Sequence, residues 1–248
     1  MTGAEVDGKA SFSVWKPPSA GDAAAGKYIA VIGNTGSGKS TVVAKLRRDV
    51  GAIRPAVGID ERSTHHPFLD RLFHDPGRYS YELQLNFMIQ RVLLVKRWLD
   101  AGFTVVMERS HLDDRIFIEH LKAQGLADVS EANAYLQVWS ALASRMPLPD
   151  AVIALQVPVA VSVQRITRAE QTGARPCEYS SERQKVEWVT SWAEFYSARI
   201  AELSADPRMA RRLMLADENT AYAEICSFVM RLAGPPQMQA DQVMSRSD

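Results

Sequence analysis

Between an apolar run at 28–32 and a helical pattern carrying Val42, Val43 and Leu46 lies the segment Gly33-Asn34-Thr35-Gly36-Ser37-Gly38-Lys39-Ser40-Thr41. It fits G-x-x-x-x-G-K-[ST] without a mismatch, and strand–loop–helix is the context that pattern needs. Its glycines let backbone N–H groups converge on phosphate oxygens with no Cβ in the way, and the helix N-terminus adds favourable partial charge. Lys39 is suited to the β- and γ-phosphates, and the Ser40 hydroxyl to Mg²⁺. A strand feeding such a loop belongs in an open α/β sheet, and the rest of the chain agrees. Short apolar runs at 28–32, 103–107, 151–157 and 213–216, and a weaker one at 52–57, alternate with helical patterns. Continuous apolar runs fit parallel strands buried on both faces, with helices covering them. The clearest helix sets Val186, Val189, Trp192, Tyr196, Ile200 and Leu203 three or four residues apart, behind Ser181 and Gln184 in a capping-box pattern.

Length and composition narrow the setting. The 248 residues allow one large domain or two small ones, and 46 % hydrophobic with 23 % charged residues excludes a chain disordered over its bulk. Lys plus Arg and Asp plus Glu both total 29, which gives no support to a nucleic-acid binder working through its whole surface. No apolar stretch approaches the roughly 18 residues that span a bilayer, and no secretory signal is visible. Two cysteines, Cys177 and Cys226, make no disulfide framework, so a reducing cytoplasm is expected. Residues 1–26 read as a flexible leader, 27–234 as one compact domain and 235–248 as a flexible tail.

Kinases, GTPases, motors and sulfotransferases all carry such a loop. Motor machinery has little room at this length, and no N-K-x-D stretch is visible. Three downstream clusters carry the chemistry. Asp60-Glu61-Arg62 precedes His66-Pro67-Phe68-Leu69. Asp75-Pro76 opens a helical pattern in which Gln84, Met88 and Arg91 share one stripe, a mixed wall able to hold a flat ring with polar edges. Glu108-Arg109-Ser110 ends an apolar run, at the carboxyl end of a strand where open α/β sheets bind ligands. A carboxylate there suits a Mg²⁺ shell and an arginine suits transferred charge.

In order and spacing these clusters resemble the deoxyribonucleoside kinase family, from about Lys27 to about Ala233. Asp113-Asp114-Arg115, Leu148-Pro149-Asp150 and Arg165-Ile166 complete the likeness. The resemblance implies a P-loop NTPase-type three-layer sandwich with a five-stranded parallel sheet and an arginine-containing lid. It implies an ATP- and Mg²⁺-dependent homodimer that phosphorylates the 5′-hydroxyl of a deoxyribonucleoside. By family role, Glu61 is the general base, and Arg109 steadies it and the developing phosphate charge. Ser40 and Glu108 hold Mg²⁺, Gln84 pairs with the base edge, and Phe117 stacks on the base. Arg91 with Asp113 or Asp114 lines the far end, a pairing more like that of cytosine- or purine-preferring members than thymidine-preferring ones. Arg165, Arg168 and Arg175 belong to the lid.

The chain departs from the family in places. Arg62 follows Glu61 where a proline is usual. Phe73 stands where a tyrosine meets the sugar 3′-hydroxyl, a loss that His74 or Glu170 could offset. Either Glu170 or Glu178 is the lid carboxylate. These departures keep two alternatives open: a kinase for a modified nucleoside or other small alcohol, and a nucleotide-binding regulatory protein without transfer activity. The histidines lack metal-ligand spacing, and Trp188 and Trp192 read as packing.

Overall fold

Five parallel strands form one sheet in the order β2-β3-β1-β4-β5. They are β1 (Tyr28–Gly33), β2 (Ala56–Ile59), β3 (Thr104–Glu108), β4 (Ala151–Leu155) and β5 (Leu213–Ala216). The computed structural model describes residues 26–61, 66–72 and 74–234. The leader beyond Gly26, the tail over 235–248, Arg62 and Phe73 lie outside the described residues.

The helices are α1 (Lys39–Gly51), α2 (Leu69–Leu72), α3 (Pro76–Asp100), α4 (Asp114–Ala123), α5 (Val129–Ala143), α6 (Val159–Gln171), α7 (Glu182–Ala205) and α8 (Tyr222–Ala233). They cover both faces of the sheet. Alternate residues of β1 divide between two cores. Tyr28, Ala30 and Ile32 pack with Val92 and Val95 of α3 and Ile200 and Leu203 of α7. Ile29 and Val31 pack with Val43, Leu46 and Val50 of α1 and Ile225 and Val229 of α8. Each fully buried aliphatic chain of this kind contributes about 1.5–3 kcal/mol, so the central strand needs apolar residues at every position, and the sequence supplies them. This is the three-layer α/β sandwich of the P-loop NTPases. Strand order reverses around β1, and its carboxyl end opens into the crevice where such folds bind ligands.

Local details refine the sequence expectations. The strand expected at 52–57 begins only at Ala56, because α1 runs on to Gly51 and Pro55 has no N–H for the ladder. Pro55 still accepts a bond from Thr104 N (2.8 Å) through its carbonyl. The strand expected at 151–157 ends at Leu155, just before Pro158. Ser181 does cap α7, accepting from Gln184 N at 3.1 Å. The Gln184 side chain turns back to Ser180 N (2.6 Å), one residue earlier than a capping box requires. Val186 faces outward, while Val189, Trp192, Tyr196, Ile200 and Leu203 are buried. Among the described residues no helix is long and apolar enough to cross a membrane.

Candidate active site

A single cleft of about 890 Å³ runs from the loop after β1 to α3 and α7. At its head, Gly36 and Gly38 adopt φ of 76° and 101°, conformations that favour glycine. A Cβ on Gly36 would meet the Ser162 carbonyl oxygen at 2.6 Å. No side chain caps α1 and no acidic residue lies in its first turn, an arrangement that suits an anion at its N-terminus. Lys39 curls across the loop and donates to Asn34 O (2.8 Å). Burial, then the nearby Arg109, pushes its ammonium down to about 8. Asn34 faces away from the cleft, and its amide donates to Val189 O of α7 (2.8 Å). Arg165 of α6 donates to Ser37 O (2.9 Å) and lines the cleft. Arg168 lies on the other side of α6, in a shallow groove with Val163 and Val186.

At the end of neighbouring β3, Glu108 accepts from Ser40 Oγ at 2.7 Å and lies 3.7 Å from Lys39 Nζ. Arg109 next to it has φ 65°, the only described residue other than glycine with positive φ. Its guanidinium donates to the Tyr196 hydroxyl of α7 and lies 4.9 Å from the centre of the Phe117 ring. Glu61 follows β2 and lines the cleft. Burial raises its carboxyl, but Arg109, Lys39, Arg91 and Arg175 outweigh that and hold it below the ordinary carboxylate value. Glu61 is therefore ionised at neutral pH and sits in a field of four cations.

The far end is built on α3, which Asp75 caps by accepting from Arg78 N (3.2 Å). Gln84 and Arg91 line the cleft from one stripe, with Phe87 between them. Arg91 is buried and paired with Asp114, which has almost no exposed surface. Asp113 is also buried and receives only a long bond from Ser110 Oγ (3.4 Å). Burial pushes it up to about 6 against the pull of Arg109 and Arg91. Neither aspartate is among the lining residues; both sit behind the wall that Arg91 and Phe117 form.

In the segment between α6 and α7, Arg175 and Glu178 are paired and line the cleft. Glu170 is held elsewhere, 2.5 Å from Lys185 in a buried ion pair. His74 is exposed and outside the cleft lining. Trp188 and Trp192, read as packing residues, form a cleft wall together with Tyr196. Their four-residue spacing carried the signal: the stripe that buries α7 also passes behind Phe117, whose ring lies 5.1 Å from that of Trp192. His66 of the first cluster lines the cleft too, as do Lys45 and Tyr222, which the sequence reading does not single out.

A phosphate-binding loop, an acid–arginine pair beside it and a polar-edged slot facing it define a P-loop phosphotransferase. Residues 29–194 match the deoxynucleoside kinase family model. The chain belongs to that family and is a kinase with an alcohol acceptor. It is 29 % identical over 202 residues to the deoxyadenosine/deoxycytidine kinase of Bacillus subtilis (strain 168), covering 77 % of this chain and 87 % of that protein. It is 27 % identical over 141 residues to the deoxyadenosine kinase of Dictyostelium discoideum, covering 57 % and 56 %. The fold matches the deoxyadenosine kinase from M. mycoides with bound dCTP at a TM-score of 0.63 and 18 % identity, over 82 % of this chain and 97 % of that one.

Proposed function

We propose that the protein transfers the γ-phosphoryl group of ATP, with Mg²⁺, to the 5′-hydroxyl of a deoxyribonucleoside, with dC, dA or dG favoured over T. The observation that carries this reading is the shared cleft: Lys39, Glu61, Arg109, Gln84 and Arg91 all line it. Gln84 offers both a donor and an acceptor to a base edge, and Arg91 offers further donors. Of the two lid carboxylates, the cleft position of Glu178 supports it over Glu170 for a sugar contact.

Magnesium prefers oxygen ligands, one or two carboxylates together with substrate phosphates. Ser40 Oγ and Glu108 Oε2, 2.7 Å apart beside the loop, fit that donor set. When bound, the ion neutralises phosphate charge. The loop and Arg165 hold the phosphates, Glu61 orients the hydroxyl and takes its proton, and Arg109 faces the charge that develops. Ile89 and Leu93, exposed one turn apart on α3, support the expected homodimer. The free thiols of Cys177 and Cys226 suit the expected cytoplasmic setting.

The test is ADP release from Mg-ATP with each of the four deoxynucleosides and their ribose counterparts, against a control without acceptor. Turnover with dC, dA or dG above T is expected. Silence across the panel with ATP bound would overturn the reading. A second result bears on the loop: Gly36→Ala is expected to raise the ATP Kd at least about tenfold by calorimetry. The added Cβ meets the Ser162 carbonyl, and the left-handed φ is strained for alanine. Unchanged affinity would show that the loop does not hold the phosphates.

A further inference from the structure

Arg109 combines two features that require an explanation. Its left-handed backbone is unfavourable for a residue with a Cβ, so something must hold it there. Its guanidinium is also buried, at the wall of the cleft. The backbone is pinned by Arg109 N donating to Val31 O of β1 at 2.8 Å. The left-handed turn takes the side chain out of the strand's line and across to α7, where the guanidinium meets the Tyr196 hydroxyl. Phe117 packs against its face from α4.

Tyr196 is itself buried, and burial keeps its hydroxyl neutral. Its helix is anchored at both ends of the site. One turn earlier, Trp192 packs on Phe117 and stacks on His120 with centroids 3.7 Å apart. Further back, Val189 O accepts from Asn34 of the phosphate loop. The hydroxyl therefore occupies a fixed point relative to the loop, and an arginine bound to it has a fixed position relative to Glu61.

We propose that Tyr196 is a positioning residue for phosphoryl transfer: its hydroxyl fixes the Arg109 guanidinium beside Glu61, so that charge stabilisation is set before the acceptor reacts. This inference rests on the kinase reading above. A preorganised donor acts on the transition state more than on bound substrate, so its loss falls on kcat.

The experiment compares steady-state kinetics and melting of the full chain with Tyr196→Phe, Arg109→Lys and the double variant, using the best deoxynucleoside of the panel. Tyr196→Phe keeps the ring and its packing. A kcat about tenfold lower is expected, with acceptor KM and melting temperature unchanged. On the Arg109→Lys background the same change is expected to cost almost nothing further, because the partner it positions is gone. A kcat like that of the unaltered protein, a loss carried by KM, or a full multiplicative loss in the double variant would each overturn the proposal. So would a lowered melting temperature with kcat intact, the mark of a purely structural tyrosine. Absence of turnover in the unaltered protein would instead overturn the kinase reading.

Discussion

Glu61→Gln is expected to lower acceptor-dependent turnover roughly 10²- to 10⁴-fold while leaving ATP affinity unchanged. Glutamine keeps the size and can still accept a hydrogen bond, but it cannot take the hydroxyl proton. The surrounding cations make Glu61 a weak base, since Arg109, Lys39, Arg91 and Arg175 together hold its carboxyl below its ordinary value despite burial. In a loose transition state, charge sits mainly on the transferring group, and the base orients the hydroxyl and accepts its proton as the bond forms. A weak, fully ionised base suffices for that. The same field gives a second reading of the residue. The acid limb of kcat/KM in the unaltered enzyme is expected below the ordinary carboxylate range, because Glu61 stays ionised as pH falls until its depressed pKa is reached. Stopped-flow ADP release and nucleotide titration on the two proteins measure both effects. Turnover of the Gln variant within a few-fold of the original would remove Glu61 from the chemistry.

The parts of this site that could be read in the sequence are those fixed by local geometry. The loop from Gly33 to Ser40 announces itself because φ near 76° and 101° at its bends strongly favours glycine. Glu108 and Arg109 were legible because a buried run ends on them, and strand ends are where the sheet opens. The α3 stripe of Gln84 and Arg91 followed from helical spacing. Long-range partners were another matter. Nothing near Glu170 in the chain shows that Lys185 claims it across the lid, or that Arg168 turns to the other side of α6. The Trp188–Trp192–Tyr196 wall was visible as a stripe but not as part of a site. Period alone cannot tell a face that covers core from one that covers a cleft, and here one face does both. Phe73, which stands where the family places a tyrosine, lies outside the described residues.

Arg91→Met is expected to destabilise the fold by about 3–5 kcal/mol, because it strands a buried carboxylate rather than because it removes a favourable pair. Asp114 has a side-chain exposure of 1 %, Arg91 pairs with its Oδ1 directly, and its Oδ2 is buried with no hydrogen-bond partner. With the arginine gone, Asp114 can stay in place only by holding a proton, so its folded pKa rises above the unfolded value. The penalty is then absent below the unfolded pKa and grows as pH rises towards the folded one. Lowering the pH should therefore restore part of the variant's stability relative to the original. Replacing both partners, Arg91→Met with Asp114→Leu, should recover most of the loss at neutral pH, since a well-packed apolar pair of similar volume avoids the desolvation cost. Urea unfolding at pH 7 and pH 5 of the three proteins measures this. A single variant as stable as the original would show that Asp114 does not depend on Arg91. The acceptor panel gives the functional side of the same change. Once the guanidinium is removed, discrimination among dC, dA, dG and T should flatten in the double variant even as its stability returns. Persistent discrimination in that protein would assign base choice to Gln84 alone.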